Sequence, residues 1–141
     1  MMLATILRGH NRPVVQVAPD TAIRTVISLL ADHRIGAVPV VDGDTVVGIM
    51  SERDVIYGLR QNGAAMLDWS VDRVMTQPAI TVDASLTPLA GLSLMTRRRI
   101  RHLPVLEEGR LIGFVSIGDL VKARIERIEQ EADAMRAYIA M

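Results

Sequence analysis

The chain has 141 residues, half of them apolar, with 16 basic and 16 acidic side chains and no cysteine. That length suits one compact domain or two small halves around a shared core. A net charge of zero supplies no general attraction to nucleic acid or to an anionic membrane, and without cysteine there are no disulfides, thiolate zinc sites or thiol nucleophile.

The opening segment, MMLATILRGHNRP, meets Arg8 and His10 too soon for a signal peptide. No stretch approaches the ~18 to 20 apolar residues of a membrane span, so a soluble, cytoplasmic protein is expected. The run PVVQVAP from Pro13 reads as a strand. Asp20 or Thr21 then stands ready to cap an amphipathic helix whose apolar positions are Ala22, Ile23, Val26, Ile27, Leu29 and Leu30. GAVPVVDGDTVVGIM is two apolar runs around Asp42-Gly43-Asp44, a hairpin signal. Ser51 opens the next helix, with Asp54 in its first turn.

The same order then recurs. PAITVDA from Pro78 reads as a strand, and a helix follows with Ser85 or Thr87 as cap and Pro88 in its first turn. RHLPVLEEGRLIGFV is a second hairpin around Glu107-Glu108-Gly109, and Ser116 with Asp119 opens the last helix. Val17 and Val82, Leu29 and Leu94, Ile35 and Ile100, Pro39 and Pro104, Gly48 and Gly113, Ser51 and Ser116, and Asp54 and Asp119 all lie 65 positions apart, with no gap. Two copies of so long a period indicate a pseudo-symmetric pair rather than an open solenoid. The expected fold is α/β (α+β): two tandem β-α-β-β-α units, covering residues 1–64 (with the lead-in) and 79–125, a joining segment 65–78, and a helical extension 126–141. The apolar positions Leu120, Val121, Ile125, Ile128, Ala132, Met135 and Ile139 on that last helix form a stripe in need of a partner surface.

Ser51 and Ser116 sit where a strand hands over to a helix, so a hydroxyl and free helix N–H groups face one place that favours anions. Taken singly, such a Ser and acid are most often a helix cap worth ~1 kcal/mol. The duplication of the Gly-strand and the X-Pro loop at one offset argues for more than capping. Arg53 is placed to meet a phosphate, and its counterpart is Gly118. His102 has no Ser or Asp in a triad pattern, which favours packing or base contact over base catalysis. His10 and His33 read as surface residues. Arg97, Arg98, Arg99 and Arg101 would suit nucleic acid, but with few aromatics to stack bases they better complement a helix end or a phosphate. Asp20, Asp42, Asp44 and Glu107 read as turn and cap acids without metal-site spacing.

The segments IGAVPVVDGDTVVGIMSERD and RIRHLPVLEEGRLIGFVSIGD, joined through VDRVMTQPAITV, resemble a tandem pair of cystathionine-β-synthase (CBS) domains, a Bateman module. The resemblance runs from about His10 to Arg124. It implies a non-catalytic regulatory module with two clefts that hold adenine nucleotides: AMP most readily, and ADP, ATP, NAD or S-adenosylmethionine as alternatives. It also implies a homodimer and a separate target protein.

By the same resemblance Asp54 and Asp119 accept hydrogen bonds from ribose hydroxyls. The loops around Gly36, Ala37, Val38 and Pro39, and around Arg101, His102, Leu103 and Pro104, read the adenine edge. Ile80 and Thr81, with Thr76, close the slot in the second half, where the first half offers Val15, Gln16 and Val17. The clefts are thus expected to be unequal, with Arg53 set against Gly118 and Gln16 against Thr81. The alternatives are a dimeric interaction module with occluded clefts, or nucleic-acid binding through Arg97–Arg101. CBS pairs also occur inside inosine-monophosphate dehydrogenases, but this chain has no room for the catalytic barrel and no cysteine nucleophile.

Overall fold

A computed structural model describes residues 1–10 and 13–140. Its elements are helix α1 (Leu3–Arg8), α2 (Ile23–His33), strands β1 (Ala37–Asp42) and β2 (Thr45–Ser51), α3 (Glu52–Asn62), β3 (Val82–Asp83), α4 (Pro88–Arg98), β4 (His102–Glu107), β5 (Arg110–Ser116) and α5 (Ile117–Ala140). The joining segment forms two short 3-10 turns, Gly63–Asp68 and Val71–Arg73.

The repeat is written into the backbone. Both hairpins are antiparallel and slip register at matching points, between Val40 and Val41 and between Val105 and Leu106. Each bulge leaves one extra residue, Val47 or Ile112, on the second strand, which sharpens its twist. Gly43 has positive φ at the first hairpin tip, and Glu108 and Gly109 both do at the second, the demand of two-residue hairpin loops. Helices α2 and α4 both end on an arginine in the left-handed region, Arg34 at φ 52° and Arg99 at φ 55°.

Three local expectations change. PVVQVAP is not a strand but a single parallel bridge, Val17 to Val40, and PAITVDA keeps only Val82–Asp83 paired with β4. Asp20 and Thr21 do not cap α2. Ala22 occupies the cap position without a side-chain bond, and the Ile23 N–H donates to the Trp69 carbonyl at 2.9 Å. At α4 the cap is Thr87, whose Oγ accepts from the Ala90 N–H at 3.2 Å. Ser85 is occupied elsewhere: its N–H and hydroxyl donate to Asp83 and hold that carboxyl below its ordinary range.

Each half has its own apolar core, but the chain crosses between them. The first core gathers Val26, Val38, Val40 and Met50 from the first half with Met66, Val71 and Met75 of the joining segment. The second gathers Met95, Leu103, Val105, Val115 and Leu120 with Leu3 of α1. The lead-in expected to accompany the first half therefore docks on the second. Its first N–H groups, of Leu3 and Ala4, donate to the carbonyls of Leu86 and Ala84 at 2.8 and 3.0 Å.

The glycines at the strand centres accept these crossing segments. Gly48 lies against Met75 and the Thr76 carbonyl, and Gly113 against Leu7, with no room for a Cβ at either. A side chain on either strand would push the covering segment away, which explains glycine at both copies of the position.

Candidate functional site

Each second helix begins with a capping box. In α3 the Ser51 Oγ accepts from the Asp54 N–H at 3.2 Å, and Asp54 Oδ2 accepts from the Ser51 N–H at 2.9 Å. At α5 the same pair forms from Ser116 and Asp119, at 3.1 and 2.8 Å. The capping reading of these residues therefore holds. The box also fixes each carboxylate at the mouth of a cleft, because the helix start after each hairpin is tied to the loop that precedes the same hairpin. The Glu52 N–H donates to the Gly36 carbonyl at 2.9 Å, and the Ile117 N–H to that of Arg101 at 2.8 Å.

Two clefts result, and each is built from both halves. The first, about 460 Å³, sets Ser51, Arg53 and Asp54 of the first half against Ile80, Arg101 and His102 of the second, with Thr76 between them. The second, about 370 Å³, sets Ser116 and Asp119 against Val14, Val15, Gly36 and Ala37. The residues grouped by half in the sequence are thus exchanged. Thr76 and Ile80, expected to close the slot beside Asp119, lie with Asp54, and the Thr76 hydroxyl donates to Asp54 Oδ1 at 3.0 Å.

In the base-edge loops, whose backbone groups are the expected contacts, four side chains turn away from the clefts. Val38 and Leu103 point into the two cores, and Pro39 and Pro104 are buried beside them. Gln16 is exposed and Thr81 half-buried, both outside the two linings.

Gly36 and His102 line both clefts and form the wall between them. The His102 ring stacks on Phe114, with centroids 5.4 Å apart and planes 12° apart. Burial pushes its pKa below the ordinary value, and the carboxylates of Asp119 and Glu52 only partly offset this. His102 is therefore held as a neutral ring, a flat apolar partition with one donor and one acceptor nitrogen.

Charge separates the clefts. Arg53, Arg99 and Arg101 border the first with Glu52 and Asp54, whereas among the described residues Arg34 alone of the arginines borders the second with Asp119, and Ile117 and Gly118 stand at the equivalents of Glu52 and Arg53 in α5. The arginine cluster divides accordingly. Arg97 and Arg98 stay in the last turn of α4, and Arg99 and Arg101 turn to the cleft.

Residues not singled out in the sequence also line these sites: Glu52 and Tyr57 in the first, and Arg34 in the second, where His10 and His33 lie as well. The repeat held a signal for Arg34, since Arg34-Ile35 and Arg99-Ile100 are 65 positions apart. Among the described residues no group of three or more His, Asp or Glu is placed to hold a metal ion, and no helix is long and apolar enough to cross a membrane.

A family model of the CBS domain matches residues 6–60 and 71–126. The chain is similar to the crystal structure of a CBS-domain containing protein from Agrobacterium tumefaciens, with 41% identity and a TM-score of 0.82 over 88% of this chain and 99% of that one. It is also similar to a CBS domain protein from Pyrobaculum aerophilum complexed with AMP, with 28% identity and a TM-score of 0.75 over 84% of this chain and 89% of that one.

Two curated relatives are longer than the chain. A mitochondrial CBS domain-containing protein of Arabidopsis thaliana is 33% identical over 85% of this chain and 61% of its own length. An inosine-5′-monophosphate dehydrogenase of Korarchaeum cryptofilum is 36% identical over 77% of this chain but only 22% of its own length.

Proposed function

The chain belongs to the CBS-domain family, and from that premise we propose that it is a non-catalytic sensor that takes an adenine nucleotide, AMP foremost, into the first cleft and reports its presence to a partner protein. The observation that carries this reading is the meeting of Asp54, Thr76 and three arginines, Arg53, Arg99 and Arg101, around one opening of about 460 Å³. That is acceptor chemistry for a ribose diol beside cationic chemistry for a phosphate. The AMP complex of the Pyrobaculum relative supports the choice of ligand.

An ionised carboxylate accepts about four hydrogen bonds. Ser51 and Thr76 supply three to Asp54, so a ribose hydroxyl takes the remaining site or displaces the Ser51 hydroxyl. Asp119 receives one, from the Ser116 N–H, but its cleft lacks a counterpart to Arg53. We therefore assign the phosphorylated ligand to the first cleft, and adenosine-like groups, including the second half of a dinucleotide such as NAD, to the second. Because each cleft is walled by both halves, a ligand favours the arrangement of the halves that fits it, and the partner reads that population shift.

The module acts as a homodimer in this reading. Ile56 and Tyr57 on α3 and Val121 on α5 are exposed apolar side chains at equivalent faces of the two second helices, the kind of surface a second copy covers.

The test is calorimetric titration of AMP, ADP, ATP, NAD and S-adenosylmethionine into protein shown by mass spectrometry to carry no nucleotide. AMP binding that is lost in Asp54→Ala and weakened at least tenfold in Arg53→Ala is expected. Absence of heat with all five ligands at millimolar concentration would sink the sensor reading in favour of an interaction module with occluded clefts.

A further inference from the structure

Helix α5 runs for 24 residues, about 36 Å, yet only Leu120 and Ala123, in its first two turns, are buried against the body. Beyond them one flank, Arg124, Arg127 and Glu131, borders a recess with Met1 and residues 87–89, and only Arg124 and Ala132 are half-buried; helices in proteins owe most of their stability to the packing of an apolar face. Such a face exists. Val121, Ile125, Ile128, Ala132, Met135 and Ile139 follow one another at spacings of 4, 3, 4, 3 and 4, the alternation of a and d positions in a heptad. The five large members of the row are between 41% and 75% exposed.

The charges that flank this row distinguish the possible occupants. With Ile125, Ala132 and Ile139 at a, Arg124 and Glu131 fall at g, and Lys122, Glu129 and Arg136 at e. In a parallel in-register pair each g residue faces the e residue five positions later on the other chain. That sets Arg124 against Glu129 and Glu131 against Arg136, both of opposite sign, and each occurs twice by symmetry.

In the antiparallel register of greatest overlap e faces e and g faces g. Lys122 then meets Arg136, and Glu129 and Glu131 each meet their own copies, so these contacts repel. Within one helix Glu131 already contacts Arg127 at 3.1 Å and Arg136 contacts Asp133 at 2.9 Å. Both pairs are largely exposed, contribute little, and exchange readily for partners across an interface.

We propose that residues 121–139 of α5 pair with the same segment of a second copy as a parallel, in-register, two-stranded coiled coil. The self-complementary pattern names this chain as its own partner, since a different partner would impose no such relation between its own g and e positions. The proposal rests on the homodimer reading above but is separable from it.

The test exploits the absence of cysteine from the natural chain. Met135→Cys, at an exposed d position, is oxidised in the 141-residue protein. A disulfide-linked dimer is expected, together with a mass by light scattering of twice the 15.5 kDa of one chain. Glu131→Arg is expected to weaken association by roughly two- to tenfold, from the loss of two exposed pairs, and Glu131→Arg with Arg136→Glu to restore it.

A dimer by scattering in which Met135→Cys stays unlinked overturns the coiled coil and leaves the homodimer standing. Cross-linking only between Ile125→Cys and Met135→Cys chains mixed together overturns the parallel orientation. A monomer overturns both.

Discussion

Leu3 opens the short helix α1, ahead of both repeats, yet its side chain is completely buried in the core of the second half. Leu3→Ala removes three carbons from that core. At ~0.8 kcal/mol per buried methylene the transfer cost is about 2.4 kcal/mol, and the residual cavity raises it further, within the observed range of about 2 to 5 kcal/mol.

Because α1 is short and can shift to fill part of the space, a loss of about 3 kcal/mol is expected. That corresponds to a fall in Tm of roughly 6 to 12 °C for a chain of this size. The assay is urea unfolding followed by far-ultraviolet circular dichroism, with Thr5→Ala on the exposed face of the same helix as control. The control should stay within about 0.5 kcal/mol of the parent. The unfolding slope m should be unchanged in Leu3→Ala, because the surface exposed on unfolding is nearly the same. A loss below 1 kcal/mol would refute the assignment of α1 to the second core. A normal loss with a clearly smaller m would mean that the helix detaches before the rest unfolds.

The remaining expectations concern single groups. Gly58→Ala would place a Cβ against the sulfur of buried Met66, and such overpacking should cost about 1 to 3 kcal/mol in the same urea assay. Asp119→Ala breaks the box that starts α5, so about 1 kcal/mol should be lost even without ligand, and calorimetry should show AMP still entering the first cleft.

His102 gives a pH dependence. Burial lowers its folded pKa below the ordinary 6.5, so the unfolded chain binds the proton first. Its stability contribution is complete above pH 6.5 and declines as pH falls from there toward the folded value, by at most about 1.4 kcal/mol per unit. His102→Gln should flatten that part of a urea-midpoint profile measured between pH 5 and 7.5, and an unchanged profile would show that the ring is solvated.

The sequence revealed the elements better than their partners. The hairpins, the helix starts at Ser51, Thr87 and Ser116, and the 65-residue offset are local or periodic features, and they are legible because turn chemistry and capping act within a few residues. The cap of α2 departs from local expectation because the need for it is met from afar. The carbonyl of Trp69 takes the Ile23 N–H, and the Thr21 carbonyl accepts from Val71, so neither Asp20 nor Thr21 is required as a cap.

The first strands are shorter than their composition implies: Val15 and Val17, like Ile80 and Val82, have strand-like side chains, yet one bridge or two residues suffice once the crossing segments cover the sheet. The composition of the clefts was beyond local patterning for the same reason. Two halves with one pattern offer identical docking faces, and periodicity does not say which half a connecting segment will choose. The placement of Thr76 beside Asp54 follows from the antiparallel bridge of Thr76 with Ile49, a pairing set by the path of the chain.

The crossing of α1 also has a consequence for how the molecule is made. Ala4 and Leu7 dock at Ala84 and Gly113, which are encoded 80 and 106 positions later. At about 5 to 20 residues per second, the first helix waits on the order of 5 to 20 s with Leu3 and Leu7 uncovered. The first half, whose own covering segment ends at Met75, can close meanwhile. During that interval the nascent chain carries an unsatisfied apolar turn, and completion of the second half is what withdraws it.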